Sequence, residues 1–308
     1  MTAVTAEPHA PRSYSCYGLT IASDLALPEL LPAPPGQAAD VRVVLGGVAA
    51  GGPPGAEQLG PYLWAGETGL SLEVPGVARY LVQGGDTVVV DPEPGIDDDS
   101  VRVFLLGSAL GALLFQRGFL VLHGNAIAVG DGCAVCVGPS GAGKSTLAAA
   151  FLRRGHHILA DDVVPVDAGC RVLPGFPRIK LWEDAAEKLD IETDGLRRIR
   201  PHLHKYNYPI HDRHAGEPLP ARWVYVLGTH QDDETTFAPV AGFERFRPLR
   251  QNTYRVRYMD GMALRAQHMS LCGALAGRVH LARVTRPERG FDVDGLVDLI
   301  LADIDANP

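Results

Sequence analysis

Lysine is unusually scarce in this chain. Of the 28 Lys and Arg residues only four are lysine (Lys144, Lys180, Lys188 and Lys205), leaving 24 arginines. That bias lowers the weight of any single arginine and raises the weight of each lysine. A basic surplus is missing too: the formal net charge is −8, which argues against a chain that binds nucleic acid by neutralising its phosphates. Cysteine is sparse and odd in number, with Cys16, Cys133, Cys136, Cys170 and Cys272 making five. Such a set is no disulfide framework and fits a reducing cytoplasm. Long apolar runs are absent. The longest, Val103 to Leu114, covers 12 residues, whereas a helix crossing a bilayer needs about 20, so no membrane span is expected. The opening MTAVTAEPHAPRSYS has no cationic start followed by an apolar core, and no signal peptide is expected.

What remains is the composition of an ordinary globular protein, 46% hydrophobic and 21% charged over 308 residues, enough for one large domain or two smaller ones. Residues 1–13 are polar and Pro-rich and are expected to form a flexible tail. Residues 14–100 read as a β-rich domain, because short β-branched runs such as Val41–Val44, Gly69–Val74 and Thr87–Val90 alternate with Gly/Pro clusters. Ser100 is the expected N-cap of an apolar helix over 101–116, which opens a second domain over 101–308. The Gly107-xxx-Gly111 pair in that helix points to close packing in a core. Beyond it, strands are expected at 119–122, 125–129, 133–137, 157–160 and 223–227, with helices at 144–154, 183–189, 262–275 and 295–305. Residues 190–220 are rich in His, Arg and Pro and carry no pattern that assigns them to helix or strand; a mobile loop is one reading.

The strongest motif is Gly138-Pro139-Ser140-Gly141-Ala142-Gly143-Lys144-Ser145-Thr146. It satisfies G-x-x-x-x-G-K-[ST] and lies between an expected buried strand and an expected helix. Its glycines let backbone N–H groups turn inward around phosphate oxygens, and the helix N-terminus adds positive character. Lys144 is then placed to contact the outer phosphates of ATP, and the Ser145 hydroxyl to coordinate Mg²⁺. Asp161-Asp162 follows the next strand, sixteen residues after Ser145. A right-handed crossover returns that strand parallel to the first, so the carboxylates open on the rim that carries the phosphates. One can serve the metal while the other accepts a proton from an attacking hydroxyl. His123 stands at the mouth of a hairpin centred on Asp131, which sets it opposite Pro139 at the edge of the same site.

Residues 121–164, VLHGNAIAVGDGCAVCVGPSGAGKSTLAAAFLRRGHHILADDVV, resemble the core of the HPr kinase/phosphorylase family, which shares its phosphate-loop architecture with phosphoenolpyruvate carboxykinase. The resemblance implies an α/β phosphate-loop kinase domain preceded by a smaller β-rich domain. It also implies Asp161 as the base that deprotonates a substrate serine, Asp162 as support for metal and loop, Ser145 as a Mg²⁺ ligand, and His123 close to Asp161. The family's E-I-R-G-L-G signature has only a loose counterpart here, Pro177 to Glu183, with Glu183 as a candidate metal ligand. Arg247-Pro248-Leu249-Arg250-Gln251-Asn252 resembles the family's R-P-G-R-N stretch and implies that Arg250 steadies the transferred phosphoryl group. Lys205 is a candidate substrate or phosphate contact. Tyr17-Gly18-Leu19 and the approach at 117–124 resemble the stand-alone members encoded with small peptide natural products, some of which act on lasso precursor peptides.

Cys133 and Cys136 have C-x-x-C spacing, but positions three apart in a strand face opposite ways and cannot hold one zinc ion. The scattered His202, His204, His211 and His214 do not form a metal pattern. The expected activity is therefore an ATP- and Mg²⁺-dependent kinase that phosphorylates a serine on a peptide or small protein in the cytoplasm. The C-terminal serine of a lasso precursor is one such target, and neither nucleic acid nor membrane is a partner. The resemblance allows a homo-oligomer. A nucleotide-driven switch and a small-molecule kinase are the alternatives.

Overall fold

The computed structural model describes residues 11–199, 204–290 and 292–308. The first ten residues of the expected tail, and His202, lie outside them. Two nine-stranded sheets and a two-stranded ribbon, with helices packed against them, make a mixed α/β protein. Among the described residues no helix is long and apolar enough to cross a membrane.

Period-two burial builds the first sheet. In Ala78–Gln83 and Thr87–Pro92 the residues Ala78, Tyr80, Val82, Val88 and Val90 are buried while their neighbours are more exposed, the pattern of a sheet with one covered face. The sheet runs from Arg12 to Pro92. Its central strands Leu19–Ser23, Val41–Leu45 and Thr87–Pro92 are parallel, and the flanking pairs are antiparallel. A helix from Asp98 to Gln116 shares the core of this sheet, with a π-helical stretch at Leu105–Ala109. Its N-cap is Asp97, not Ser100: the Asp97 carboxylate accepts from the Ser100 backbone N–H at 2.8 Å, which makes Ser100 part of the first turn. Tyr254, Tyr258, Met259 and Met262, from far downstream, complete the same core.

The second sheet carries the phosphate-loop motif. Gly132–Val137 pairs parallel with Leu219–His230, which in turn pairs parallel with His280–Pro287. On its other side Gly132–Val137 forms a hairpin with Gly124–Val129, and His157–Asp161 adds antiparallel to that strand. His157–Asp161 thus runs parallel to Gly132–Val137 with one strand between them, so both deliver their C-terminal ends to one rim. The hairpin pairs Gly124 with Val137, one residue away from the expected register. The shift follows from a turn that spans both Gly130 and Asp131, not one centred on Asp131.

Helices cover both faces. Lys144–Arg153 and Val293–Ala306 share one core with Ala134 and Cys136, while Arg265–Arg278 and Phe246–Gln251 share the other with Cys133, Val135 and Val137. The two cysteines therefore enter separate cores. The loop expected over 190–220 is partly ordered: Lys205–Pro209 pairs with Arg178–Trp182 as a ribbon, and His211–Arg213 forms a 3₁₀ turn. Alternating Ile179 and Leu181 in the core explain why that ribbon is held down.

The helix glycines seat an aromatic ring. A Cβ at Gly111 would lie 2.7 Å from Tyr254 Cε1, and one at Gly107 would lie 3.6 Å from its hydroxyl. Gly→Ala in a helix interior ordinarily adds about 1 kcal/mol of stability. Tyr254 is buried and held by Arg255 Nε on its hydroxyl and by its own N–H on the Val121 carbonyl, so Gly111→Ala is expected to lose about 1–3 kcal/mol in urea unfolding. An unchanged or raised midpoint would contradict this packing.

Candidate functional site

The strand Gly132–Val137 ends in the loop, and the helix Lys144–Arg153 begins at its lysine with Gly143 as N-cap at φ 96°. Positive φ there admits few residues other than glycine. Gly138 is required for a different reason: a Cβ would meet the Leu227 carbonyl oxygen at 2.5 Å. Asn125, fully buried on the neighbouring strand, donates through Nδ2 to the Lys144 carbonyl at 2.5 Å and so ties the helix start to the sheet. Ser140, Gly141, Gly143, Lys144, Ser145 and Thr146 line a cavity of about 150 Å³. Ala142 is buried, and its carbonyl accepts from Arg286 Nε at 3.3 Å. Lys144 Nζ donates to the carbonyls of Gly138 and Pro139 at 2.8 and 3.0 Å.

Asp161 and Asp162 line the same cavity. Asp161 ends its strand, and Asp162 turns out of it in the left-handed region at φ 73°, a conformation that Asp tolerates better than most residues. Lys180 holds both. Its backbone N–H donates to Asp161 Oδ2 at 2.7 Å, and its ammonium lies 2.6 Å from Asp162 Oδ2. Strand alternation makes that possible, since Ile179 and Leu181 face the core while Lys180 and Trp182 face the cavity. Across the ribbon Lys205 pairs with Trp182, its ammonium 5.1 Å from the indole centroid. His123 sits against the second aspartate, with Nδ1 3.0 Å from the Asp162 carbonyl oxygen and 3.4 Å from Oδ1.

All four lysines of the chain line this one cavity. The charges of Lys180 and Lys205 act on two adjacent carboxylates that respond in opposite ways. Loss of solvent, then the neighbouring charge of Asp162, pushes Asp161 up to about 6 against the pull of Lys180. Burial alone would also raise Asp162, but Lys180, His123 and Lys205 outweigh it and draw the group down to about 2. Burial, and then the Lys144 charge, lowers His123, which leaves a neutral imidazole at neutral pH. Burial also lowers Lys144 and Lys205, with both aspartates opposing. Paired carboxylates driven apart in this way fall into an acceptor of protons near neutrality and a permanent anion.

Several expected residues stand elsewhere. Glu183 opens the helix Glu183–Lys188, but its carboxylate accepts from the Tyr206 hydroxyl at 2.8 Å and meets His204 Nδ1 at 2.7 Å. It is Asp184, one residue on, that lines the cavity. Ser145, Asp161 and Asp162 come together and Glu183 does not join them. Arg250 is exposed on Phe246–Gln251, and its charge bears on His268 and Cys272. The arginines that reach the site are Arg286, whose Nη2 also donates to Gly141 at 3.3 Å, and Arg255, which walls an adjoining hollow with Gly138, Pro139, His123 and Asp162. Sequence reading missed both, and missed the role of Lys180. For Lys180 a signal existed in the scarcity of lysine; in a chain with 24 arginines no such signal marked Arg286 or Arg255.

A buried carboxylate with a raised pKa costs stability once it ionises. The contribution is most favourable below its unfolded value and is lost as pH rises through about 6. Asp161→Asn keeps an oxygen acceptor for the Lys180 N–H and removes that cost. It is expected to raise Tm at pH 8, with the gain shrinking as pH falls through 6, in scanning calorimetry across that range. A lower Tm at pH 8 would show that Asp161 is not held against its charge.

A scan against protein-family models finds no match, and a search of curated proteins finds none either. Among solved structures the chain is similar to the Hpr(Ser) kinase/phosphatase from Coxiella burnetii, at 11% identity and a TM-score of 0.28, over 60% of this chain and 90% of that one. A TM-score of that size is too low to support an argument about fold or function.

Proposed function

We propose that this chain is an ATP-dependent kinase that transfers the γ-phosphoryl group to a serine hydroxyl on a peptide or small protein. The observation that carries the reading is a phosphate-binding loop and a carboxylate pair of split proton affinity in one cavity. Backbone N–H groups of Ser140 to Lys144 cradle the polyphosphate, and Lys144 exchanges its two loop carbonyls for phosphate oxygens. Asp161, near half-ionised at pH 6 and mostly ionised above about pH 7, takes the hydroxyl proton as the serine oxygen bonds to the γ-phosphorus and the bond to the bridging oxygen breaks, releasing ADP. Asp162 stays anionic throughout and orients His123 through its carbonyl and carboxylate.

Mg²⁺ fits the residues present. Ser145 and the aspartates offer hard oxygen ligands, and the Lys180 ammonium already marks the Asp162 carboxylate as a cation acceptor. When bound, the ion would neutralise charge that develops on the phosphoryl groups. The resemblance to stand-alone peptide kinases extends the reading to a precursor peptide, with the C-terminal serine of a lasso precursor as one such acceptor.

Incubation with γ-labelled ATP, Mg²⁺ and a panel of serine peptides and small alcohols tests the reading. Asp161→Asn is expected to lower transfer by about 10²- to 10⁴-fold, the range for loss of a general base, and Lys144→Ala to abolish it. In the intact protein, kcat/KM should rise with pH through about 6 as Asp161 deprotonates. Hydrolysis without labelled acceptor, unaffected by Asp161→Asn, would instead make the protein a nucleotide-driven switch. Label on small alcohols alone would make it a small-molecule kinase.

A further inference from the structure

We infer that the hollow walled by Gln251–Arg255 receives the acceptor peptide, and that Arg255 recognises a carboxylate close to the reacting serine. The inference rests on the kinase reading for its chemistry, but concerns the wall Gln251–Arg255, which that reading does not use.

The hollow, about 410 Å³, shares His123 and Asp162 with the phosphate cavity and is bounded by Gly138 and Pro139 of the loop. A chain lying in it can therefore send a hydroxyl past His123 towards the aspartate pair. Its far wall is firm. The His123 N–H donates to the Asn252 carbonyl and the Tyr254 N–H to the Val121 carbonyl, both at 2.8 Å, and Leu122 bridges to Thr253. Tyr254 beneath is locked against the helix glycines.

Arg255 stands at the end of that wall with left-handed backbone, φ 42°, a conformation long side chains adopt only where their surroundings hold them there. Its guanidinium lies over the rings of Tyr254 and Tyr258, at 5.6 and 5.7 Å to their centroids, and Nε donates to the Tyr254 hydroxyl at 3.2 Å. Those contacts fix its direction without neutralising it. Arg102, Arg153, Arg154, Arg171 and Arg222 each pair with an Asp or Glu, whereas among the described residues no carboxylate lies within ion-pair distance of Arg255. The one carboxylate in the hollow, Asp162, is already matched by Lys180 at 2.6 Å. Arg255 is thus the charge that the hollow offers to an incoming group, and a planar guanidinium with free donors suits a carboxylate.

The test uses the full chain with Mg²⁺-ATP and blocked peptides that differ only beside the serine: Asp, Asn or Lys, and a neutral peptide with a free C-terminal carboxylate to separate side-chain from chain-end carboxylates. The intact protein should favour the Asp peptide over the Asn peptide by about ten- to hundredfold in kcat/KM, through KM, as expected for a hydrogen-bonded charge pair. Arg255→Asn, which tolerates the left-handed backbone, should erase that preference. Arg255→Lys should keep part of it, and added salt should weaken it. Nucleotide affinity measured in parallel reports an intact fold. Equal use of the Asp, Asn and free-acid peptides by the intact protein, or a carboxylate preference that survives in Arg255→Asn, overturns the inference. Preference for the free-acid peptide over the Asp peptide assigns Arg255 to a chain end. If no peptide is phosphorylated the kinase reading fails, and fluorescence anisotropy then decides the binding claim alone: it stands only if the Asp peptide binds more tightly and Arg255→Asn removes the difference.

Discussion

Two adjacent carboxylates placed at the end of one strand and largely withdrawn from water repel each other and resist ionisation together. The site depends on how that conflict is resolved. Lys180 does most of it, giving its backbone N–H to Asp161 and its ammonium to Asp162. A neutral hydrogen bond steadies one carboxylate while a full charge fixes the other, and so their proton affinities part. This explains why lysine appears here in a chain that elsewhere prefers arginine. A compact ammonium on a flexible stem can be buried and can lose part of its proton affinity, as Lys144 and Lys205 do, whereas a guanidinium remains charged and demands a planar partner.

The first sheet contributes to this site although it holds neither loop nor aspartates. The Tyr17 N–H donates to the Pro174 carbonyl at 2.8 Å, the Tyr17 ring packs on Phe176, and its hydroxyl is close enough to Asp162 to feel its charge. The helix Asp98–Gln116, seated on the same sheet, positions Tyr254 through Gly107 and Gly111. The segment that walls the adjoining hollow is therefore set by packing against the first sheet and by hydrogen bonds to the second. A change in either should be felt at Asp162.

Legibility followed the range of the interactions. The loop, its helix and the aspartates were readable because strand, turn and helix of one βαβ unit are contiguous, and the hydrophobic pattern and glycines there each state a local requirement. His123 was placed beside the site by hairpin arithmetic that missed the register by one residue, since turn length is fixed by φ at Gly130 and not by composition. Lys205 and Lys180 reach the cavity through ribbon pairing between segments more than twenty residues apart, within a stretch whose polar composition concealed a strand. Arg250 resembled a motif yet faces the wrong helix, while Arg255, five residues on, reaches the hollow after a left-handed turn. No sequence rule forecasts that turn for an arginine.

The charge inventory of the cavity gives a last constraint on what it can hold. Four lysines and Arg286 face Asp161, Asp162 and Asp184, with His123 neutral, which leaves a surplus of two positive charges. A nucleoside triphosphate with one Mg²⁺ carries roughly two negative charges. Such a ligand would neutralise the cavity instead of inverting it, and on the proposed kinase reading protonation of Asp161 by the hydroxyl proton would shift the balance towards positive as negative charge develops between donor and acceptor oxygens. A monophosphate or a lone carboxylate would leave the partly buried Lys144 and Lys205 with less charge to offset their own. On the proposed kinase reading, the concentration of a rare residue in a single cavity follows from the size of the charge to be held, and the split aspartates from the need to move one proton without disturbing that balance.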